Sequence, residues 1–154
     1  MTEDLPVADD LVAVCDHCLQ HILDGEGVLE VDMAAAARAV ERWRGRVGAD
    51  PLAVFRAVAG VTQAVWTVRH HGCGTAPRFA CTIAVERVRT WPGLLAWGTH
   101  LADKHWAQAT DWHDLVARAL DPRKAAVSGL LPSRPRSLRG GPVGDRPPGR
   151  SGSG

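Results

Sequence analysis

Two short clusters hold most of the side chains in this sequence that can do chemistry: Cys15-Asp16-His17-Cys18, and His70-His71-Gly72-Cys73. A pair of thiolate or imidazole donors separated by a two-residue turn spans one edge of a tetrahedron. A C-x2-C half and an H-x2-C half therefore offer together the four ligands of a zinc site. The expected ligands are Cys15, Cys18, His70 and Cys73, and the expected role of the zinc is structural, because four protein donors leave no open position for a substrate. Two further residues compete for a place. His71 would replace His70 but leave only one residue before Cys73, and Cys81 would supply a fourth thiolate if the loop around Pro77 folds back. On a strand that runs away from the clusters, Cys81 is instead a small buried hydrophobe. His17 and His21 read either as outer donors or as solvated surface residues.

The order C-x2-C then H-x2-C is similar to the first zinc module of LIM-type proteins and, more broadly, to zinc ribbons and treble clefs, over residues 15–73. That resemblance implies a metal-stapled β-hairpin with Cys15, Cys18, His70 and Cys73 as ligands, and it carries over no catalytic residue. The sequence departs from the compact members in its spacer: residues 19–69 number 51, where those families use about twenty. The extra length has to hold inserted helices, so the resemblance transfers a ligand geometry and not an activity.

The same first cluster admits a redox reading. An apolar strand, then C-x2-C, then a helical Leu19–Leu23 is the layout of thioredoxin-like enzymes, in which Cys15 would be the nucleophile and Cys18 the resolving thiol. Asp24-Gly25-Glu26-Gly27 would end that helix after barely two turns, and no βαβ frame surrounds the motif.

The elements that must position these residues follow from pattern. Leu11–Val14 is an apolar strand entering the first knuckle, and Val28–Val31, after turn residues 24–27, is its expected returning partner. Asp32 caps an Ala-rich helix over Met33–Arg46, with Ala36, Val40, Trp43 and Val47 at helical spacing. Asp50 and Pro51 open a second helix to Ala59. Residues 63–69 form a β-rich run that delivers His70 and Cys73, and Ala80–Val88 is a further strand. Thr90 caps a helix over Trp91–Gln108 and Thr110 caps another over Asp111–Leu120, an αα-hairpin that holds four of the six tryptophans. The expected fold is α+β: a small zinc-stapled hairpin or ribbon with inserted helices, a C-terminal helical hairpin, and a disordered tail. Residues 1–131 form one domain, and residues 132–154, rich in Arg, Pro, Gly and Ser, form the tail.

Charge and composition narrow the function classes. Residues 1–131 carry 13 Lys or Arg against 16 Asp or Glu, and the tail carries five Arg against Asp145. The mildly acidic body disfavours nucleic acid, except at a stripe formed by Arg38, Arg42, Arg44 and Arg46, which with the tail offers contact to phosphates. Asp111 and Asp114 at the start of the last helix oppose its use as a recognition helix. Glu3, Asp4, Asp9 and Asp10 stand where a secretory leader would be basic, and no apolar run approaches the roughly 20 residues of a membrane span. A cytoplasmic protein is expected, where four cysteines serve metals or redox chemistry better than disulfides. No phosphate loop, nucleophile elbow or His-Glu-x-x-His run occurs, so neither an enzyme nor a small-molecule substrate is expected. The expectation is a small zinc-binding module whose partner is a protein or a nucleic acid. Titration of free thiols separates the zinc and redox readings: zinc should mask the thiols until a chelator is added, whereas a redox pair should respond to reductant alone.

Overall fold

The computed structural model describes residues 11–47, 63–124 and 126–133, and leaves the side chains of Arg46, Val47 and Pro122 undescribed. The expected helix from Asp50 to Ala59 and the tail from residue 134 lie outside the described residues. The fold is mixed α+β, in the order β1 (Val12–Val14), β2 (Gly27–Asp32), α1 (Met33–Val47), β3 (Thr67–His70), β4 (Ala80–Ala84), α2 (Trp91–Ala102), α3 (Trp112–Leu120) and β5 (Gly129–Leu131). Short 3-10 turns cover Val85–Arg87, His105–Ala109 and Pro122–Lys124. Among the described residues the strands make two antiparallel sheets, β3-β2-β4 and β1-β5. Among the described residues no helix is long and apolar enough to cross a membrane.

β2 is the central strand of its sheet, and Leu29, Glu30 and Val31 are buried in succession, so both of its faces are covered. Leu29 pairs with Val68 on one side and Ile83 on the other. This row of three apolar side chains is 1% exposed or less at every position. Asp32 then accepts the Ala34 N–H at 2.8 Å and starts α1. The helix turns Ala36 and Ala39 inward, while Val40 is half-buried and Trp43 exposed, so the buried stripe is narrower than the spacing of large residues suggested. Alanines let the helix lie close against the His105–Ala109 turn.

β1 does not pair with β2. Its partner is β5, with Val12 opposite Leu131 and Val14 opposite Gly129. A three-residue strand gains its partner from long-range packing, and here Leu130, buried between β1 and α3, supplies it. The expected ribbon hairpin between 11–14 and 28–31 is therefore replaced by two separate sheets. The strand expected over Ala80–Val88 also ends early, at Ala84, although Val85 and Val88 remain fully buried through the following turn.

Thr90 caps α2 as expected, accepting the Gly93 N–H at 3.2 Å. The helix stops at Ala102 and not at Gln108, and the chain rewinds as the 3-10 turn that carries Trp106 to Trp66. Trp66 is the hub: its ring centroid lies 5.3 Å from that of Trp112, edge-on, and 6.3 Å from that of Trp106. Such aromatic pairs contribute about 0.5–1.5 kcal/mol each beyond burial. The Trp66 indole N–H donates to Thr110 Oγ1 at 3.1 Å and its backbone N–H to Asp111 Oδ1 at 2.7 Å. Thr110 thus serves the tryptophan, while Asp111 takes the helix-cap position.

Gly27 sits opposite His70 in the pairing of β2 with β3. A Cβ there would overlap the Arg69 carbonyl and lie 2.7 Å from Ile22 Cγ2. Gly27→Ala should destabilise the protein by about 1–3 kcal/mol in urea unfolding, as other overpacked sites do.

Candidate metal centre

The first knuckle lies where β1 leaves its sheet. Cys15 N–H donates to Gln20 O at 2.9 Å and Leu19 N–H donates to Cys15 O at 3.0 Å, which closes a tight loop around Cys18. Leu19 takes a left-handed backbone, φ 59°, among the described residues the one non-glycine that does so. That conformation costs an ordinary side chain roughly 1 kcal/mol, and the knuckle's hydrogen bonds hold it in place. No helix follows Cys18, so the thioredoxin-like layout is not formed. Cys15 is also fully buried, which denies a disulfide substrate the access that a nucleophilic thiol needs.

The second knuckle is the turn after β3. Cys73 N–H donates to His70 O at 3.1 Å, and Gly74 follows with φ 69°. The His17 ring from the first knuckle lies over Gly74, with Nε2 2.6 Å from where a Cβ would stand. The two knuckles are joined by their backbones as well. Asp16 N–H donates to Val68 O at 2.8 Å, and Asp16 Oδ2 accepts the Val68 N–H at 2.7 Å.

These contacts bring four donor atoms together. One ligand atom each from Cys15, Cys18, His70 and Cys73 lies within 4.8 Å of all the others. His70 Nδ1 is 3.4 Å from Cys18 Sγ and 3.9 Å from Cys73 Sγ. A tetrahedral ion with bonds of about 2.3 Å to sulfur and about 2.0 Å to nitrogen would set S···N edges of about 3.5 Å and S···S edges of about 3.8 Å. The quartet thus has the dimensions of a metal cage, and its three sulfurs and one imidazole are a soft donor set. The other ring nitrogen, His70 Nε2, is 3.0 Å from the His21 carbonyl. As a donor to that oxygen it leaves Nδ1 free of a proton and facing the sulfurs, the outer-shell arrangement that fixes a ligating histidine. The outer group near the first knuckle is therefore the His21 backbone, while the His17 and His21 side chains are exposed, the surface state the sequence also offered.

Electrostatics agree with a site built for a cation. Burial favours the neutral Cys15 thiol, but the backbone N–H groups of Cys18, His70 and His17 and the His70 ring outweigh it and bring the thiol down to about 6. Cys73 is pushed up to about 11, first by burial and then by the neighbouring sulfurs of Cys18 and Cys15. Hydrogen bonding to Cys15 raises His70. One negative charge is thus comfortable in the cluster and further ones are not, until a dication pays for them.

Two residues stand outside the quartet. Cys81 pairs with Val31 on β4, four residues along β2 from the Gly27 position opposite His70, or about 13 Å at the rise of a strand. It is half-buried, and burial raises its thiol. The His71 backbone N–H donates to Glu26 O at 3.0 Å, and the exposed His71 is not part of the converging group. In the arginine stripe on α1, Arg38 lies 3.9 Å from Asp32 at the end of β2 and Arg44 lies 3.4 Å from Glu41 on the same helix, and Arg42 also has a partner. The Arg46 side chain is outside the described residues.

The sequence reading missed a buried pair, Glu30 and Arg69, 4% and 5% exposed. Arg69 Nε donates to Glu30 Oε1, and Nη2 donates to Oε2 at 3.0 Å. The available signal was two opposite charges on neighbouring strands at diagonal positions, Glu30 opposite Thr67 and Arg69 opposite Val28.

Acid should empty a loaded site. A depressed thiol contributes stability above its unfolded value of 9 and loses that contribution as pH falls through about 6. Protons also compete with a bound ion for the same thiolates, so lowering the pH of metal-loaded protein from 8 to 5 should release metal, read with a chromogenic metal indicator, and return to pH 8 should restore it.

A scan of protein-family models gave no match, and neither the curated proteins nor the solved structures gave a significant one.

Proposed function

We propose that Cys15, Cys18, His70 and Cys73 bind one zinc ion, and that this metal staples a small cytoplasmic module which acts by binding or regulating another macromolecule. The observation that carries the reading is the convergence of four soft donors from two knuckles that 51 residues separate. Cys15 follows β1 and His70 ends β3, so the ion ties the two-stranded sheet to the three-stranded one. Its role is structural, since four protein donors complete a tetrahedron and leave no coordination position for water or substrate. Thiolate and imidazole ligands favour zinc over calcium or magnesium, which require oxygen.

Structural zinc couples about 10–16 kcal/mol of binding to folding in small domains, so losing one ligand should be severe. Protein purified without added metal should carry one equivalent of zinc by elemental analysis. Cys15→Ser and Cys73→Ser should each lose it and melt at lower temperature, while Cys81→Ser should keep both the metal and the melting temperature. A wild-type protein without metal, whose melting temperature ignores both zinc and chelator, would overturn the proposal.

A further inference from the structure

The metal reading leaves unexplained why the chain buries an ion pair beside the site. Taking a guanidinium and a carboxylate out of water is costly, and well-packed apolar residues would serve stability as well. The geometry supplies a reason. Glu30 occupies Nε and Nη2 of Arg69, and the remaining nitrogen, Nη1, donates to three carbonyls: His70 O at 3.1 Å, His71 O at 3.2 Å and Cys73 O at 3.1 Å. These are carbonyls of the turn that presents His70 and Cys73.

We infer that Arg69 is the positioning residue of the metal centre: its guanidinium gathers the carbonyls of the second knuckle and is itself clamped by Glu30 of β2, so that His70 and Cys73 face the first knuckle before a metal arrives. Resting on the zinc reading above, the inference adds a division of labour. Asp16 joins the first knuckle to β3, and Arg69 shapes the second. A lysine would keep the charge and lose the fork, because its ammonium is a point donor that cannot hold Glu30 through two atoms and gather three carbonyls at once.

The test is a cobalt(II) titration read by the tetrahedral d–d absorption, in the full chain, with urea unfolding of the metal-free proteins alongside. Wild type should bind one equivalent; if it shows no tetrahedral cobalt, the zinc reading fails and this inference falls with it. Arg69→Lys should bind roughly 10- to 100-fold more weakly, the usual cost of losing an outer-shell partner, with a shifted d–d envelope. The Glu30→Met, Arg69→Met double variant removes both charges together, so it should remain folded and show the same loss. Wild-type binding with unchanged affinity and spectrum in either variant would overturn the positioning role alone, even if urea stability falls. Should both variants fail to fold, exchange of the Arg69 Nε–H in wild-type protein decides: protection without metal supports the role, and exchange at the bulk rate overturns it.

Discussion

The reciprocal hydrogen bonding between Asp16 and Val68 is the constraint on which the site depends. Asp16 lies between the two cysteines of the first knuckle, and Val68 lies two residues before His70, at the edge of the three-stranded sheet. With this clasp in place, the position of the first knuckle along β3 is set, and the second knuckle, which continues β3, faces it. The distance in sequence between the halves then ceases to matter to the geometry. Loop-closure entropy grows only with the logarithm of loop length, so a long spacer costs little more than a short one.

The two knuckles are stabilised by different means. The first is a loop of backbone hydrogen bonds around Cys15, strained at Leu19 and packed on the core through the buried cysteine. The second leans on a charged side chain from its own strand, with its anchor one strand away. Both designs answer the same difficulty. A turn that presents two ligands has few internal hydrogen bonds, and its carbonyls need partners from elsewhere. His70 shows the economy of the arrangement, since its ring faces the sulfurs on one side and is oriented by the His21 carbonyl on the other.

Much of this was legible in the sequence where the signal is local. The C-x2-C and H-x2-C spacings marked the four side chains that come together, Asp32 and Thr90 marked helix starts that the structure places within a residue, and alternation and β-branching marked β1, β2 and β3. What escaped was non-local. β5 is a Gly-Leu-Leu strand too short to announce itself, and the partner of β1 is chosen by packing against α3, which no window of sequence contains. Glu30 and Arg69 looked like ordinary solvent-facing strand residues because charge implies exposure until a partner is known. The break after Ala102 escaped for a related reason. The helix gives way so that Trp106 can reach Trp66, a contact that spans forty residues.

The treatment of the β3 border has an implication for solubility. An edge strand with free N–H groups invites another chain to add to it. Here the outward N–H groups of Trp66 and Val68 are taken by carboxylates, Asp111 and Asp16, and not by a neighbouring strand. Burial raises the Asp111 carboxyl, so one of the groups that seal this border gains affinity for a proton from being packed into the fold. The residues that close this border to strand addition are thus the same ones that seat Trp66 in the core and tie the first knuckle to β3.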